Sequence, residues 1–322
     1  MKAVLVERLG GPEVLETSEI PVPTPGAGEL LVSVEASGLN YIDTYHRSGA
    51  YPMRLPFTPG VEGAGTVTAI GDGVEAFKLG DRVGWVDVPG SYAESHVIPV
   101  DRTVLLPDGI DTATAAALLL QGITSHYLAT DTFPLSPGDR CVIHAGAGGV
   151  GLLLTQIAKK MGATVFATVG TEEKAVLARE AGADHVIEYT REDFQTVIER
   201  IIGAKEIDVV YDGVGAATFE KGLDLLRPRG MMVTFGNASG PPPEISPLTL
   251  SQKGSLFLTR PTLLHYISTP DELVRRVTEL FGWIRDGSLQ VRIGAEFSLD
   301  QAADAHRALE GRSTTGKVLI RP

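Results

Sequence analysis

The stretch Arg140 to Gly151, RCVIHAGAGGVG, constrains this chain more than any other: a short apolar run stops abruptly in glycines and continues as LLLTQIAKKMG. Cys141, Val142 and Ile143 are strand formers. Leu152, Leu153, Gln156, Ile157 and Lys160 then recur at helical spacing until Gly162 closes the run, so the segment reads as strand, tight turn and helix. Gly146, Gly148 and Gly151 match the G-x-G-x-x-G spacing, which brings a backbone free of side chains to the positive end of a helix. A dinucleotide pyrophosphate binds such a place, with Gly148, Gly149 and Val150 against it.

A second strand, Thr164 to Val169, follows. In such units the residue ending the second strand, roughly 20 positions after the glycines, selects the cofactor: an acid for a ribose 2'-hydroxyl, a base for a 2'-phosphate. Here the sequence reads VGTEEK, so Gly170 and Thr171 stand in place of the acid and Lys174 follows one helical turn on. A backbone turn, a hydroxyl and an ammonium suit a dianionic phosphate and predict NADPH rather than NADH. Thr171 equally suits the N-cap of the helix TEEKAVLAREAG, with Glu172 and Glu173 in its first turn, and the two roles are compatible. Both acids must then point away from the phosphate.

The 322 residues leave room for two domains and a sizeable core, and the hydrophobic fraction of 43% is ordinary. A net charge of −12 without any Lys/Arg cluster argues against a nucleic-acid backbone or a membrane surface as partner. The opening MKAVLVERLGG meets Glu7 and Arg8 too soon for a signal peptide, and no apolar run approaches the ~18 residues of a spanning helix, so a soluble cytoplasmic protein is expected. A single cysteine, Cys141, excludes an internal disulfide and a multi-thiolate metal site. The seven histidines form no H-x-H or H-x-x-x-H pair, so spacing predicts no metal.

Along the chain, residues 2 to 7, KAVLVE, read as a first strand, and a second short strand precedes the extended IPVPTPGAGE. Leu30 to Ser37 returns to strand. LNYIDTYHRSG predicts a short helix with Asn40 as N-cap and Asp43 at N3. VEGAGTVTAIG, GDRVGWV and SYAESHVIPV add strands, which makes this half β-rich. From Asp111 the texture switches: DTATAAALLLQGITSHYLATDT is helical in composition and places a domain boundary near Gln121. Five βα repeats, with strands VIHA, TVFATVG, DHVIEY, EIDVVYDGVG and GMMVTFG, predict an α/β, doubly wound parallel sheet. Ser255 to Thr259 supplies a last strand. DELVRRVTELFGWIRDG is an amphipathic helix, and Leu289 to Phe297, the helix LDQAADAHRALEGR and the strand GKVLIRP are too little for a domain of their own. The expected division is 1–121, 122–262 and a segment 263–322 that returns to the first domain.

With these parts laid out, the chain resembles, end to end, the medium-chain dehydrogenase/reductase superfamily. GLNYIDTYHRSGAYP, TPGVEGAG, HAGAGGVG, GTEEK, YDGVG, FGNASG, QKGSLFLTRP and RSTTGKVLI look like its NADPH:quinone oxidoreductase branch, relatives of zeta-crystallin. The resemblance implies a GroES-like N-terminal domain, a Rossmann domain and a cofactor in the cleft between them. Zinc alcohol dehydrogenases of the superfamily carry a Cys and a His where this chain has Asn40 and Val61. Without zinc there is no Lewis acid for an alkoxide, which favours an electron-poor acceptor such as a quinone or an enone.

The resemblance also implies roles for single residues. Asn40, Asp43 and Tyr45 sit where the family contacts substrate and nicotinamide, although capping accounts for Asn40 and Asp43 and core packing for Tyr45. Thr124, Tyr127, Gly236, Asn237 and Ser239 carry over as cofactor contacts, and Tyr189 and Arg312 as partners of the 2'-phosphate alongside Gly170, Thr171 and Lys174. No general acid stands out; the proton for a reduced quinone comes from water or from Tyr45. An alkenal or enone reductase and a non-catalytic NADPH-binding or RNA-binding protein are the competing readings, and whether electrons move as hydride or singly stays open. A homodimer through the Rossmann edge strand SLFLTRP is expected from the same resemblance.

Overall fold

The computed structural model describes residues 1–322. The chain forms two compact units, one of Met1–Ile123 with Ile267–Pro322 and the other of Thr124–Tyr266. The divisions thus follow Ile123 and Tyr266, where sequence alone suggests Gln121 and Thr262.

In the first unit β1 (Lys2–Leu5) and β2 (Glu16–Glu19) form an antiparallel ribbon. β1 stops short of Glu7 because Val6 is drawn into a single bridge with Phe57. β3 (Glu29–Leu39) leads into α1 (Tyr41–Ser48), followed by β4 (Glu62–Ile70), β5 (Arg82–Val86), β6 (Ser95–Pro99) and β7 (Thr103–Leu105). α2 (Thr112–Tyr127) then carries the chain across the division, and Leu128–Thr132 form a π turn rather than further α-helix. Thr130 gives a cause: its hydroxyl donates to the carbonyl of His126 at 2.8 Å, which bends the ladder there.

The second unit alternates strands and helices: β8 (Arg140–Ile143), α3 (Gly149–Lys160), β9 (Thr164–Val169), α4 (Glu172–Glu180), β10 (His185–Glu188) and α5 (Phe194–Ile202). β11 (Ile207–Asp212), α6 (Phe219–Leu225), β12 (Leu226–Thr234), α7 (Pro247–Gln252) and β13 (Phe257–Thr259) complete it. All pairings are parallel, in the order β10-β9-β8-β11-β12-β13. This is the dinucleotide-binding arrangement, with the order reversing between β8 and β11. Val142, Phe166, Ile187 and Val210 pack against Phe194, Ile198 and Phe219 to form its core.

The chain then re-enters the first unit with α8 (Pro270–Arg285), β14 (Ile293–Ser298), α9 (Ala302–Glu310) and β15 (Lys317–Arg321). β14 and β15 extend the sheet to β14-β15-β3-β4-β5-β7, with β6 also on β3. Leu299, Val318, Leu319 and Ile320 are at most 3% exposed, and several of them pack on Val4, Val6, Leu39 and Tyr92. At about 1.5–3 kcal/mol for each buried aliphatic side chain, this return contributes on the scale of a domain's whole stability. The first unit is therefore not complete without it.

One crossing leaves no room for a side chain. A Cβ on Gly38 would lie 2.5 Å from the Ala116 carbonyl, 2.5 Å from Glu62 Oε1 and 2.6 Å from Lys317 Cε, where β3, β4, β15 and α2 converge. Gly38→Ala is expected to destabilise the protein by about 1–3 kcal/mol through overpacking, seen as a lower urea midpoint at unchanged slope. A wild-type midpoint would show that the backbone yields there.

Candidate functional site

Asn40 is the N-cap of α1, in extended backbone conformation, and its N–H donates to Asp43 Oδ2 at 2.8 Å. Its side-chain amide faces inward. Nδ2 donates to the Gly38 carbonyl at 3.1 Å and to Glu62 Oε1 at 2.6 Å. Oδ1 accepts from Lys317 Nζ at 2.8 Å and from Gln121 Nε2 at 3.3 Å. An ammonium only donates and a carboxylate only accepts, so these neighbours fix the amide's orientation and use both its protons and both its lone pairs. Lys317 also pairs directly with Glu62, and Glu62 Oε2 accepts the Leu120 N–H at 2.7 Å. Both charged side chains are enclosed, at 1% and 0% exposure.

A second chain of bonds runs from the other side of Asp43. Its Oδ2 accepts from the Tyr92 hydroxyl at 3.1 Å, Tyr92 Oη lies 3.3 Å from His306 Nε2, and His306 Nδ1 lies 3.0 Å from Arg47 Nη1. Arg47 grips Glu310 at 3.0 and 2.8 Å. The guanidinium can only donate, so His306 accepts at Nδ1, carries its hydrogen at Nε2 and donates to Tyr92, which donates to Asp43. Burial, reinforced by the Arg47 charge, pushes His306 down to about 3, which keeps it neutral. Burial pushes Asp43 up to about 7 against the Asn40 N–H and the Lys317 charge. Lys317 is matched by Glu62 and Arg47 by Glu310, so Asp43 has no cation of its own, and its buried Oδ1 has no partner.

The resemblance implies contact with substrate and nicotinamide for Asn40 and Asp43. They are 4% and 0% exposed, and their hydrogen bonding is directed into the unit. Tyr45 differs. It is half-buried and lies in tilted ring contact with Tyr41 at 5.7 Å and Tyr51 at 5.0 Å. Tyr41 and Tyr51 were not singled out from sequence, although the i, i+4 spacing of Tyr41 and Tyr45 puts them on one helix face. Glu62 and Lys317 lie inside the quoted stretches TPGVEGAG and RSTTGKVLI, and no local signal marks either as buried.

In the second unit α3 begins at Gly149 with Gly148 as N-cap and no side-chain cap for its first N–H groups. Gly148, Gly149 and Val150 are half-buried at this end. Gly146 and Gly151 are required by packing: a Cβ would meet Ala167 Cβ at 2.9 Å and the Ala145 carbonyl at 2.3 Å. The turn stands at the carboxyl end of β8, beside the reversal of strand order, and this cradle suits a pyrophosphate.

At the end of β9 a Cβ on Gly170 would lie 2.8 Å from the Tyr189 hydroxyl, so Tyr189 covers the position where an acid is expected in an NAD site. Thr190 donates to the Gly170 carbonyl at 3.0 Å. Thr171 caps α4, accepting the Lys174 N–H at 3.4 Å, and Lys174 is half-buried one turn on. Glu172 is held by Arg179 at 2.7 Å. After β12, Gly236 and Asn237 are half-buried, while the Ser239 hydroxyl donates to the Val214 carbonyl at 2.9 Å and accepts the Ala217 N–H at 3.1 Å. Ser239 therefore ties this loop to the one after β11. Thr124 and Tyr127 are 6% and 2% exposed, and Tyr127 stacks on Tyr266 at 4.1 Å. Arg312 belongs to the first unit, exposed and in left-handed conformation beyond α9.

Residues 26–108 match the alcohol dehydrogenase GroES-like domain and residues 149–281 the zinc-binding dehydrogenase family. The chain is 46% identical to a quinone oxidoreductase of Pseudomonas aeruginosa, over 100% of this chain and 99% of that protein. A 2-haloacrylate reductase from Burkholderia is 39% identical, over 99% of this chain and 98% of the other. The crystal structure of Escherichia coli quinone oxidoreductase complexed with NADPH superposes with a TM-score of 0.98 at 42% identity, covering 100% of both chains. The zinc in the second family's description does not fit the residues present. No three His, Cys, Asp or Glu side chains are grouped to hold a metal, Val61 is apolar and buried, and the cation paired with Glu62 is the Lys317 ammonium. No helix is long and apolar enough to cross a membrane.

The Asp43 environment predicts a pH dependence. Its carboxyl is raised from 3.8 to about 7 on folding, so the fold favours the protonated form. That contribution is complete below the unfolded value and is lost as pH rises through the folded one, a difference of about 4 kcal/mol for ~3 pKa units. Asp43→Asn keeps a neutral acceptor for the Asn40 N–H. Between pH 4 and 7.5 the wild-type protein should lose a few kcal/mol more stability than the variant, measured by urea unfolding; parallel profiles would show that Asp43 is ionised throughout.

Proposed function

The chain belongs to the quinone oxidoreductases of the medium-chain dehydrogenase/reductase superfamily, and on that premise we propose how it reduces quinones with NADPH. When bound, the cofactor supplies two reducing equivalents from its nicotinamide. The uncapped N–H groups of Gly149 and Val150 hold the pyrophosphate at the positive end of α3. Lys174, Tyr189 and the turn at Gly170 and Thr171 hold the 2'-phosphate, with Arg179 keeping Glu172 from opposing it. The observation that carries the NADPH assignment is at the end of β9, where a hydroxyl over a glycine replaces the acid that binds an unphosphorylated ribose. Gly236 and Asn237, on the loop after β12, face the cofactor, whereas Ser239 keeps that loop in place.

Tyr45, with Tyr41 and Tyr51, offers ring faces to a flat, electron-poor acceptor. The donor set for a Lewis-acidic metal is missing, and a quinone takes reducing equivalents without one. The proton that completes the hydroquinone comes from water or from the Tyr45 hydroxyl. The relationship to 2-haloacrylate reductase supports activated alkenes as a second acceptor class, served by the same cofactor residues. The outer edge of β13, with Phe257 56% exposed, supports a homodimer paired through that strand.

Following NADPH and NADH oxidation with 1,4-benzoquinone, a bulky ortho-quinone, a 2-alkenal and an alcohol control tests the function; strong NADPH-linked turnover on quinones is expected. Lys174→Ala should raise the KM for NADPH about tenfold to a hundredfold, the worth of a charged hydrogen bond, and leave that for NADH unchanged. Equal losses would remove Lys174 from the phosphate site. Sedimentation at micromolar protein should give the dimer mass, and Phe257→Lys should shift it to the monomer; a monomer at all concentrations refutes the pairing.

A further inference from the structure

The buried face of the segment around α1 is built almost entirely from charged and polar groups, and those that hold its first residue come from distant parts of the chain. Lys317 reaches Asn40 and Glu62 across 277 and 255 residues of sequence. Gln121 reaches Asn40 from α2, and the Leu120 N–H holds the far oxygen of Glu62. Replacing an enclosed ion pair with apolar side chains is often neutral or stabilising, so stability alone does not explain an ammonium at this position. What it provides is direction. Four oriented hydrogen bonds fix one amide, and that amide belongs to the residue from which α1 starts.

We infer that Lys317 is a positioning residue for quinone reduction: through Asn40 and Glu62 its ammonium sets the start of α1, and thereby the placement of the Tyr45 ring. At 1% exposure it touches no ligand itself. Without the ammonium, Asn40 Oδ1 loses its shorter donor and Glu62 loses its counter-charge. The amide and the carboxylate then settle into another arrangement, and the first turn of the helix follows. A displacement of about 1 Å at a reacting group can lower a rate about a hundredfold. The inference rests on the reading that Tyr45 faces the acceptor, and the variants are chosen to separate the two.

Tyr45→Ala, Lys317→Met and the double variant form a cycle in which kcat and KM are measured for NADPH and 1,4-benzoquinone. Lys317→Met should lower kcat about tenfold to a hundredfold while the KM for NADPH stays within about twofold. In the Tyr45→Ala background the same change should cost less than about twofold, because its route to the reaction is already removed. A merely structural Lys317 would give equal losses in both backgrounds, which overturns the inference. Normal kinetics in Lys317→Met alongside impaired kinetics in Tyr45→Ala overturns it as well and leaves the role of Tyr45 standing. Normal kinetics in Tyr45→Ala overturns both. If Lys317→Met does not fold, Glu62→Gln/Lys317→Met removes both charges together, and the cycle is repeated on that pair with the same expectations.

Discussion

A charged group enclosed in protein is tolerable only beside its opposite, and the first unit depends on two such pairings, Lys317 with Glu62 and Arg47 with Glu310. Each brings residues of the C-terminal return against residues of the N-terminal half. Between them lies Asp43, which no cation matches and which is accordingly driven toward its neutral form. The hydrogen bonds from Arg47 through His306 and Tyr92 all point the same way, toward that carboxyl. Helix α1 is therefore held at its first turn and its last by different charges, and its tyrosines stand on a frame that apolar packing alone would leave freer to slide.

The second unit solves a different problem by different means. Its ligand carries the charge, so the protein supplies backbone N–H groups and space: an uncapped helix, glycines where a Cβ would collide, and a short stretch in which a glycine stands where related sites need an acid. At the end of β9 the side chains proposed to add to this are those of Thr171, Lys174 and Tyr189. The contrast is between a turn built from backbone and small residues and a helix held by many polar side chains.

The two solutions differ in how much of them can be read from sequence. The glycine turn, the βα alternation and the missing acid after β9 are local patterns with local causes, and the parallel sheet with its strand at the Phe257 edge follows from them. The capping positions of Asn40 and Asp43 are local too, and they were legible. The inward turn of the Asn40 amide was not, because it is dictated by Lys317 and Glu62, whose positions in the chain give no hint that they meet. Motif resemblance points Asn40 and Asp43 toward substrate and nicotinamide, and the structure adds that both are buried and hydrogen-bonded within the unit. The π turn after α2 and the left-handed Arg229 within β12, where the register against β11 shifts, escaped for a related reason: each depends on one hydroxyl or one backbone angle that composition does not encode.

The interrupted layout of the first unit bears on how the molecule is made. Thr124–Tyr266 is continuous and can fold as soon as it leaves the ribosome, so the nucleotide-binding half is ready early. The first unit must wait through all of that synthesis for β15, and until then Glu62 and Asn40 lack the ammonium that orders them. A chain cut short before Lys317 would leave the first unit without β15 and without the charge that pairs with Glu62. The order of synthesis thus makes the unit that begins the chain the last to be completed.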